Sequence, residues 1–291
     1  RNQQPTHRDG PCNRRQRASH GHHVAERPLR RHAGSRKGAM GVWQLMPQTA
    51  RKYGLTVNGR IDERRSFFKS TVAAIAYLKE LHGRFDSWSL ALAAYNMGEE
   101  GLEAEILAQG VSDYYHLYLP LETQRFIFRI ISVKIILSDP QRFGYEFTES
   151  DLYPPLSFDR VHVECFQDTP IIIVARAANT HFKAIKDLNP EIRGHFLAAG
   201  MHSLLIPRGA ADGFYIRFKE LVQKWVAENR ERVYVVKEGD NLTTIAERFD
   251  VPLPALLIWN RMDGKKPIYP GDRIVIYPSP TEDGIESTQP D

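Results

Sequence analysis

The sequence predicts an α+β protein: an all-helical region first, then two small modules that each run strand–helix–helix–strand. Three observations predict it. Apolar side chains recur at helical spacing through residues 38–138. Residues 160–208 and 232–278 repeat each other at an offset of 71. A proline-bearing stretch, Tyr153-Pro-Pro-Leu-Ser157, separates the two regimes.

The expected organisation is an atypical basic segment over 1–25, a helical domain over 26–150, a first module over 158–210, a linker helix over 211–231, a second module over 232–279 and a disordered polar tail over 280–291. Residues 1–37 hold ten Arg and Lys against Asp9 and Glu26, so the rest of the chain is net negative although the whole is +4. Stacking aromatics are absent from that basic segment, which argues against a nucleic-acid arm. Its five histidines read as part of a polar tail, not as a metal site. Cys12 and Cys165 have no metal-ligand spacing. No apolar run approaches the roughly 20 residues that span a bilayer. The amino end shows no basic-then-apolar signal, and a lost export signal is the expectation.

In the helical part, Val42, Trp43, Leu45 and Met46 form an apolar cluster, and Pro47 and Thr49 open a helix that Gly54 stops. Trp43 and Met46 taken singly read as core. A second helix over 70–82 sets Val72, Ile75, Ala76, Leu78 and Leu81 on one face. Ser87 caps a third, carrying Trp88, Leu90, Leu92, Ala93 and Tyr95, which Gly98 and Gly101 break or loosen. Glu99, Glu100 and Glu103 read as a solvated acidic edge, and Asp62 and Glu63 as a cap or ion pair for the next helix. Residues 121–138 give an amphipathic helix through Phe126, Ile127, Ile130 and Ile131, ended by Asp139-Pro140. In the repeat, Ala175 falls on Ala246, Asn189 on Asn260, Gly200 on Gly271 and Leu204 on Val275. Residues 211–231 bridge the two modules as a helix, and Asp240 or Asn241 caps the first helix of the second module.

A glycoside-cleaving site needs an acid for the leaving oxygen and a cleft in which amides and apolar faces fix the sugar. Gly38 and Gly41 allow close backbone approach, Gln44 offers an amide with donor and acceptor, and Tyr95 and Asn96 supply a second polar wall. The series Gly38-Ala-Met-Gly-Val-Trp-Gln44, Met46-Pro-Gln-Thr-Ala50, Ala94-Tyr-Asn-Met-Gly98 and Glu122-Thr-Gln-Arg-Phe126 resembles the signature motifs of the lytic transglycosylases. The resemblance is nearest to the D type of the membrane-bound enzymes, which also carry LysM modules, and runs from about residue 26 to 278. It implies a lysozyme-like domain acting on peptidoglycan glycan strands, with no cofactor and no metal. One glutamate acts first as acid and then as base, while the muramic 6-hydroxyl attacks its own anomeric carbon to give a 1,6-anhydro product.

In that family the glutamate lies about a dozen residues before the Gly-Ala pair, which falls on Glu26; Gln44, Met46, Tyr95, Asn96 and Glu122 fall on substrate-binding positions. Arg27 and Leu29 depart from the pattern around Glu26, and Phe126 replaces the family's tyrosine. The family pattern returns abruptly at Ala33, which suggests a shifted frame or misjoined fragment over 1–32. Tyr234–Ala246 and Ile268–Pro278 resemble a LysM module, implying that Gly239, Asp240, Asn241 and Asn260 border a groove for N-acetylated sugar. Asp168-Thr-Pro-Ile171 stands where Gly-Asp-Asn-Leu is usual, so the first module is expected to bind sugar weakly or not at all. The resemblance places the protein in the periplasm, with outer-membrane association through a missing signal or anchor. A noncatalytic peptidoglycan-binding protein is the rival reading, and a lysozyme-type hydrolase is the third.

Overall fold

The computed structural model of the chain describes residues 34–277, apart from 36, 153, 154, 232 and 265. The chain divides into two units, Arg1–Pro155 with Pro190–Arg193, and Leu156–Asn189 with Gly194–Asp291. Among the described residues no helix is long and apolar enough to cross a membrane.

Unit one is built from α1 (Pro47–Lys52), α2 (Phe67–Phe85), α3 (Trp88–Met97), α4 (Glu99–Gln109) and α5 (Leu121–Ser138). Ser87 caps α3 as expected, its hydroxyl accepting from the Leu90 amide, and α5 spans the expected residues. The buried face of α2 differs from the expected one. Val72 is 71% exposed and Ile75 45% exposed, whereas Ser70, Ala73, Ala74, Tyr77 and Leu81 are buried. Small side chains let α2 approach the buried Ala91 and Ala94 of α3, and close packing outweighs the larger apolar residues on the outer side. Ser70 tolerates burial because its hydroxyl donates to the Ser66 carbonyl at 2.6 Å.

The break expected at Gly98 is present, and a further helix, α4, follows it directly. Gly98, at φ 94°, ends α3 and opens α4, and Gly101 sits inside the helix. The acidic edge is only partly solvated: Glu99 accepts from the Tyr77 hydroxyl at 2.6 Å, and Glu103 receives both arms of the Arg84 fork. On α5 only Thr123 and Ile127 are buried, and Ile130 and Ile131 are exposed, so the expected apolar face is mostly open among the described residues.

Unit two contains both modules. The first has β1 (Phe158–Cys165), β2 (Thr169–Pro170), α6 (Ile171–Ala177), α7 (Phe182–Leu188), β3 (Phe196–Leu197) and β4 (Gly200–Pro207). Strands β1 and β4 pair antiparallel, and β2 pairs with β3. The helix α8 (Phe214–Glu231) follows, with Phe214 stacked on Phe218 and both buried. The second module has β5 (Val233–Val235), α9 (Leu242–Arg248), α10 (Leu253–Asn260) and β6 (Arg273–Val275), with β5 antiparallel to β6.

The repeat is real in three dimensions, with one correction. Ala175 and Ala246 are both buried, and the Ile185 and Leu256 carbonyls both accept from the following asparagine amide, which fits the offset of 71. In the closing strand, however, Asn189 bonds Leu205 while Asn260 bonds Val275. Leu204 therefore matches Ile274, not Val275, and the buried faces agree: Leu204 and Ile206 against Ile274 and Ile276. The first module holds one more residue between asparagine and strand. A one-residue slip would turn the strand inside out, so burial fixes the register.

Each asparagine is a cross-brace. Its Nδ2 donates to two carbonyls and its Oδ1 accepts one strand amide, joining helix end to strand. Asn189→Ala, at a fully buried site, is expected to cost about 1–3 kcal/mol, because polar backbone atoms lose their partners. Urea unfolding of the full chain measures it, and an unchanged midpoint would contradict the bracing role.

Candidate active site and sugar-binding loops

The loop from Gly38 to Leu45 is the centre of the candidate cleft. It turns twice on itself: the Met40 amide donates to the Leu45 carbonyl at 3.2 Å, and the Gln44 amide to Gly41 at 3.2 Å. Gly41 takes φ 82°, and Gln44 takes φ 49° with its Nε2 donating to the Gly41 carbonyl at 2.6 Å. At Gly41 a Cβ would stand 1.9 Å from the Arg64 carbonyl oxygen, so only glycine fits.

Arg64 holds this loop from beneath. Its Nη1 donates to the carbonyls of Gly38 at 2.7 Å and Leu45 at 3.1 Å. Its Nε and Nη2 grip both oxygens of Asp62 at 2.8 Å each. Both side chains are buried. The guanidinium is suited to this, because its planar fork reaches a carboxylate on one side and carbonyls on the other. Burial pushes the Asp62 carboxyl up, but the Arg64 hydrogen bonds and charge outweigh that and hold it below the usual 3.8. Asp62 also caps the short helical turn after it, accepting from the Arg64 amide. The sequence marked Asp62 as a cap or ion-pair residue; Arg64 as the clamp was missed, since its carbonyl partners lie far along the chain.

A second anchor comes from α3. The Tyr95 hydroxyl donates to the Trp43 carbonyl at 2.8 Å, and burial pushes its pKa up, so it remains a donor at any ordinary pH. Asn96 accepts from the Thr123 hydroxyl at 3.0 Å, which ties α3 to the start of α5 beside Glu122. Trp43 leans on the core with its Nε1 donating to Thr71 at 2.8 Å, as a core reading expects. Met46 corrects that reading, being 41% exposed at the loop's end.

Of the expected cleft residues, then, Gln44 lies on the clamped loop and Met46 directly after it at the start of α1, Tyr95 touches that loop, and Asn96 is joined to the turn of α5 that carries Glu122. Glu26 lies outside the described residues. Glu99 was also missed as a structural acid: Tyr53, Tyr77 and Tyr95 form a row at 5.3 Å spacings, and Tyr77 donates into Glu99. Burial raises the Glu99 carboxyl, but the Tyr77 hydrogen bond prevails and holds it below the usual range. At neutral pH it has no proton to give, which makes it a poor general acid.

In the second module, Asn241 caps α9: its Oδ1 accepts from the Thr244 amide at 2.9 Å, and Thr244 Oγ1 accepts in return from the Asn241 amide at 3.1 Å. Asp240 instead accepts from the Tyr234 hydroxyl at 2.6 Å and the Lys237 amide at 2.8 Å, and pairs with Arg248. These bonds keep its carboxyl below the usual range, the Tyr234 hydrogen bond contributing most. Gly239 turns at φ 83° with open space about it. Asn260 is committed to the brace described above. The side chains of Asp240, Asn241 and Asn260 thus shape the loops through internal hydrogen bonds.

Residues 25–117 match the family described as "Transglycosylase SLT domain", and residues 234–276 match "LysM domain". The first segment is thus similar to SLT transglycosylase domains and the second to LysM domains, in a helix-rich α+β chain. Over 267 residues the chain is 32% identical to the "Membrane-bound lytic murein transglycosylase D" of Escherichia coli K12, covering 87% of this chain and 58% of that protein. The protein of that name from E. coli O6:H1 matches to the same extent. The chain thus spans just over half the length of the curated relatives it matches.

Proposed function

We propose that this chain is a peptidoglycan lytic transglycosylase that cleaves the β-1,4 bond between N-acetylmuramic acid and N-acetylglucosamine, with LysM holding it on the wall. One observation carries the reading: the Gly38–Leu45 loop, inside the SLT match, is clamped by Arg64 and Tyr95 so that Gln44 and Met46 stand out from a fixed backbone. A sugar cleft needs such preorganised walls. In the proposed reaction Glu26 gives its proton to the leaving glucosamine O4 as the glycosidic bond breaks. It then accepts the proton of the muramic 6-hydroxyl as that oxygen bonds to C1. No water is consumed, and one carboxyl serves both steps, outside the usual two-carboxylate schemes.

Glycan strands are the proposed partner, and the periplasm the proposed place of action. The relatives' printed name, with its "membrane-bound" and "murein", supports both. Outer-membrane attachment through an anchor belongs to the same proposal. In the first module, pairing of β2 with β3 and the bond from the Ala199 amide to Asp168 at 2.9 Å tie together the loops that correspond to the LysM groove. This supports assigning sugar binding to the second module.

A second reading has one observation in its favour. Arg27, Arg30 and Arg31 follow Glu26 in sequence, and neighbouring cations favour a charged carboxylate over a proton donor. On that reading the chain binds the wall without cutting it. Incubating parent and Glu26→Gln with purified sacculi separates the two. The transglycosylase reading expects soluble muropeptides from the parent and about 10²–10⁴-fold slower release from the variant. Binding of sacculi without release by the parent would establish the noncatalytic reading.

A further inference from the structure

Unit two contains two adjoining cavities, one of them lined in part by Asn260 and Asp168 of the LysM-type loops and both extending beyond those loops to helix α8. They measure about 440 and 510 Å³, within the range of small-ligand sites. The residues common to their linings are Phe196, Trp225, Trp259 and Tyr277, and all are aromatic. They come from three places: the first module's β3, helix α8, and the second module. Two of the chain's four tryptophans are among them.

The rings are held in set orientations. Trp259 and Tyr277 lie 5.2 Å apart and 70° to one another. Trp225 donates its indole N–H to the Tyr277 hydroxyl at 2.8 Å, so its polar edge is satisfied internally. At the other side Arg261 pairs with Asp168 and lies 4.3 Å over the Phe196 ring, bracing one module against the other. Exposed Arg176 and Lys224 stand at the rim of the smaller cavity.

From this arrangement we infer that the junction of the two modules with α8 is a second saccharide subsite, one that takes N-acetylated hexosamine units of a glycan strand. A pyranose ring has an apolar face of C–H bonds and an edge of hydroxyl and acetamido groups. Aromatic faces meet the first, and a rim carrying N–H donors meets the second. The four shared residues are all aromatic, while Arg176, Lys224, Glu228, Arg273 and the Arg261–Asp168 pair line the remainder, and the uncharged shared face suits the neutral rings of a glycan. A strand bound here and in the LysM loops would be gripped twice by one chain, so that modest single-site affinities reinforce each other. The inference rests on the proposed substrate class, although not on catalysis.

The test uses the full chain with the chitin tetramer, a soluble β-1,4 N-acetylglucosamine oligomer, read by tryptophan fluorescence and by hydrogen exchange. The tetramer should change the fluorescence and slow exchange across residues 221–228. Trp225→Ala should weaken binding about tenfold, and Trp225→Phe, which keeps a ring face, should restore most of it. Absence of binding, protection confined to the loops around 239–242 and 262–271, or affinity unchanged in Trp225→Ala would each overturn the subsite. Binding of a sugar-free stem peptide in place of the tetramer would overturn it too. If Trp225→Ala does not fold, the exchange pattern of the parent decides. The sacculus assay separates the two proposals: a protein that cleaves but shows no protection at 221–228 loses only the subsite, and one protected there but unable to cleave loses only the enzyme.

Discussion

Arg64→Ala is expected to destabilise unit one by about 3–5 kcal/mol, the range for breaking a buried ion pair by removing one partner. The variant leaves Asp62, only 3% exposed, without its bidentate partner, and it frees the carbonyls of Gly38 and Leu45. Arg64→Lys keeps the charge but not the fork, so it should recover only part of the loss. Urea unfolding followed by fluorescence measures both. The pH dependence gives a sharper signature. In the parent, Asp62 titrates below its ordinary value, so its contribution is fully present above about pH 4 and is lost as pH falls through the depressed folded pKa. Without the Arg64 side chain, Asp62 keeps its burial but loses the hydrogen bonds and charge that chiefly opposed it, so that pKa rises. The deficit of Arg64→Ala should then be largest near neutrality and shrink on acidification. A deficit that stays constant from pH 7 to pH 4 would remove Asp62 from the explanation.

Gly41→Ala is expected to cost about 2–5 kcal/mol, combining the penalty for a left-handed alanine with overpacking against a fixed neighbour. The neighbour is the Arg64 backbone carbonyl, 1.9 Å from the added carbon, and it cannot swing aside as a side chain would. The loop must lift, and Gln44 and Met46 move with it. Gly38→Ala is the matched control. Gly38 also has positive φ, at 94°, but nothing stands within 4 Å of its added carbon. Its cost should be confined to backbone strain, about 1–2 kcal/mol. Thermal unfolding of the two variants beside the parent measures the gap. Equal losses would mean that the close approach to Arg64 does not fix the loop.

Much of this was readable in the chain and some was not, for definite reasons. Ser87 and the bounds of α5 were legible because caps and helical periodicity are local signals. The tandem modules were legible because two asparagine braces recur. The inner face of α2 was not, since alanine and serine carry little hydrophobic signal, yet they are what permits close helix packing. Helix α4 was hidden by Gly98 and Gly101, which in context serve as a junction and a tolerated interior residue. The slip between Leu204 and Val275 was hidden because alternating apolar strands align nearly as well one residue out of step. In the candidate site, spacing and resemblance singled out the Gly38–Ala50 motif and Tyr95, which the fold brings into contact. Arg64 was not, because it acts through carbonyls 19 and 26 residues away. The aromatic junction in unit two was equally invisible, since Phe196, Trp225, Trp259 and Tyr277 meet only once both modules are folded.

The central claim is that the clamped loop, the second wall and Glu26 together cleave glycan without water. Its most direct test is to digest purified sacculi with the parent protein in heavy-oxygen water and analyse the released muropeptides by mass spectrometry. The account predicts 1,6-anhydro products, lighter than the hydrolysis products by one water and carrying no heavy oxygen. Reducing-end muramic acid labelled with heavy oxygen would contradict it and assign the cleft to a hydrolase.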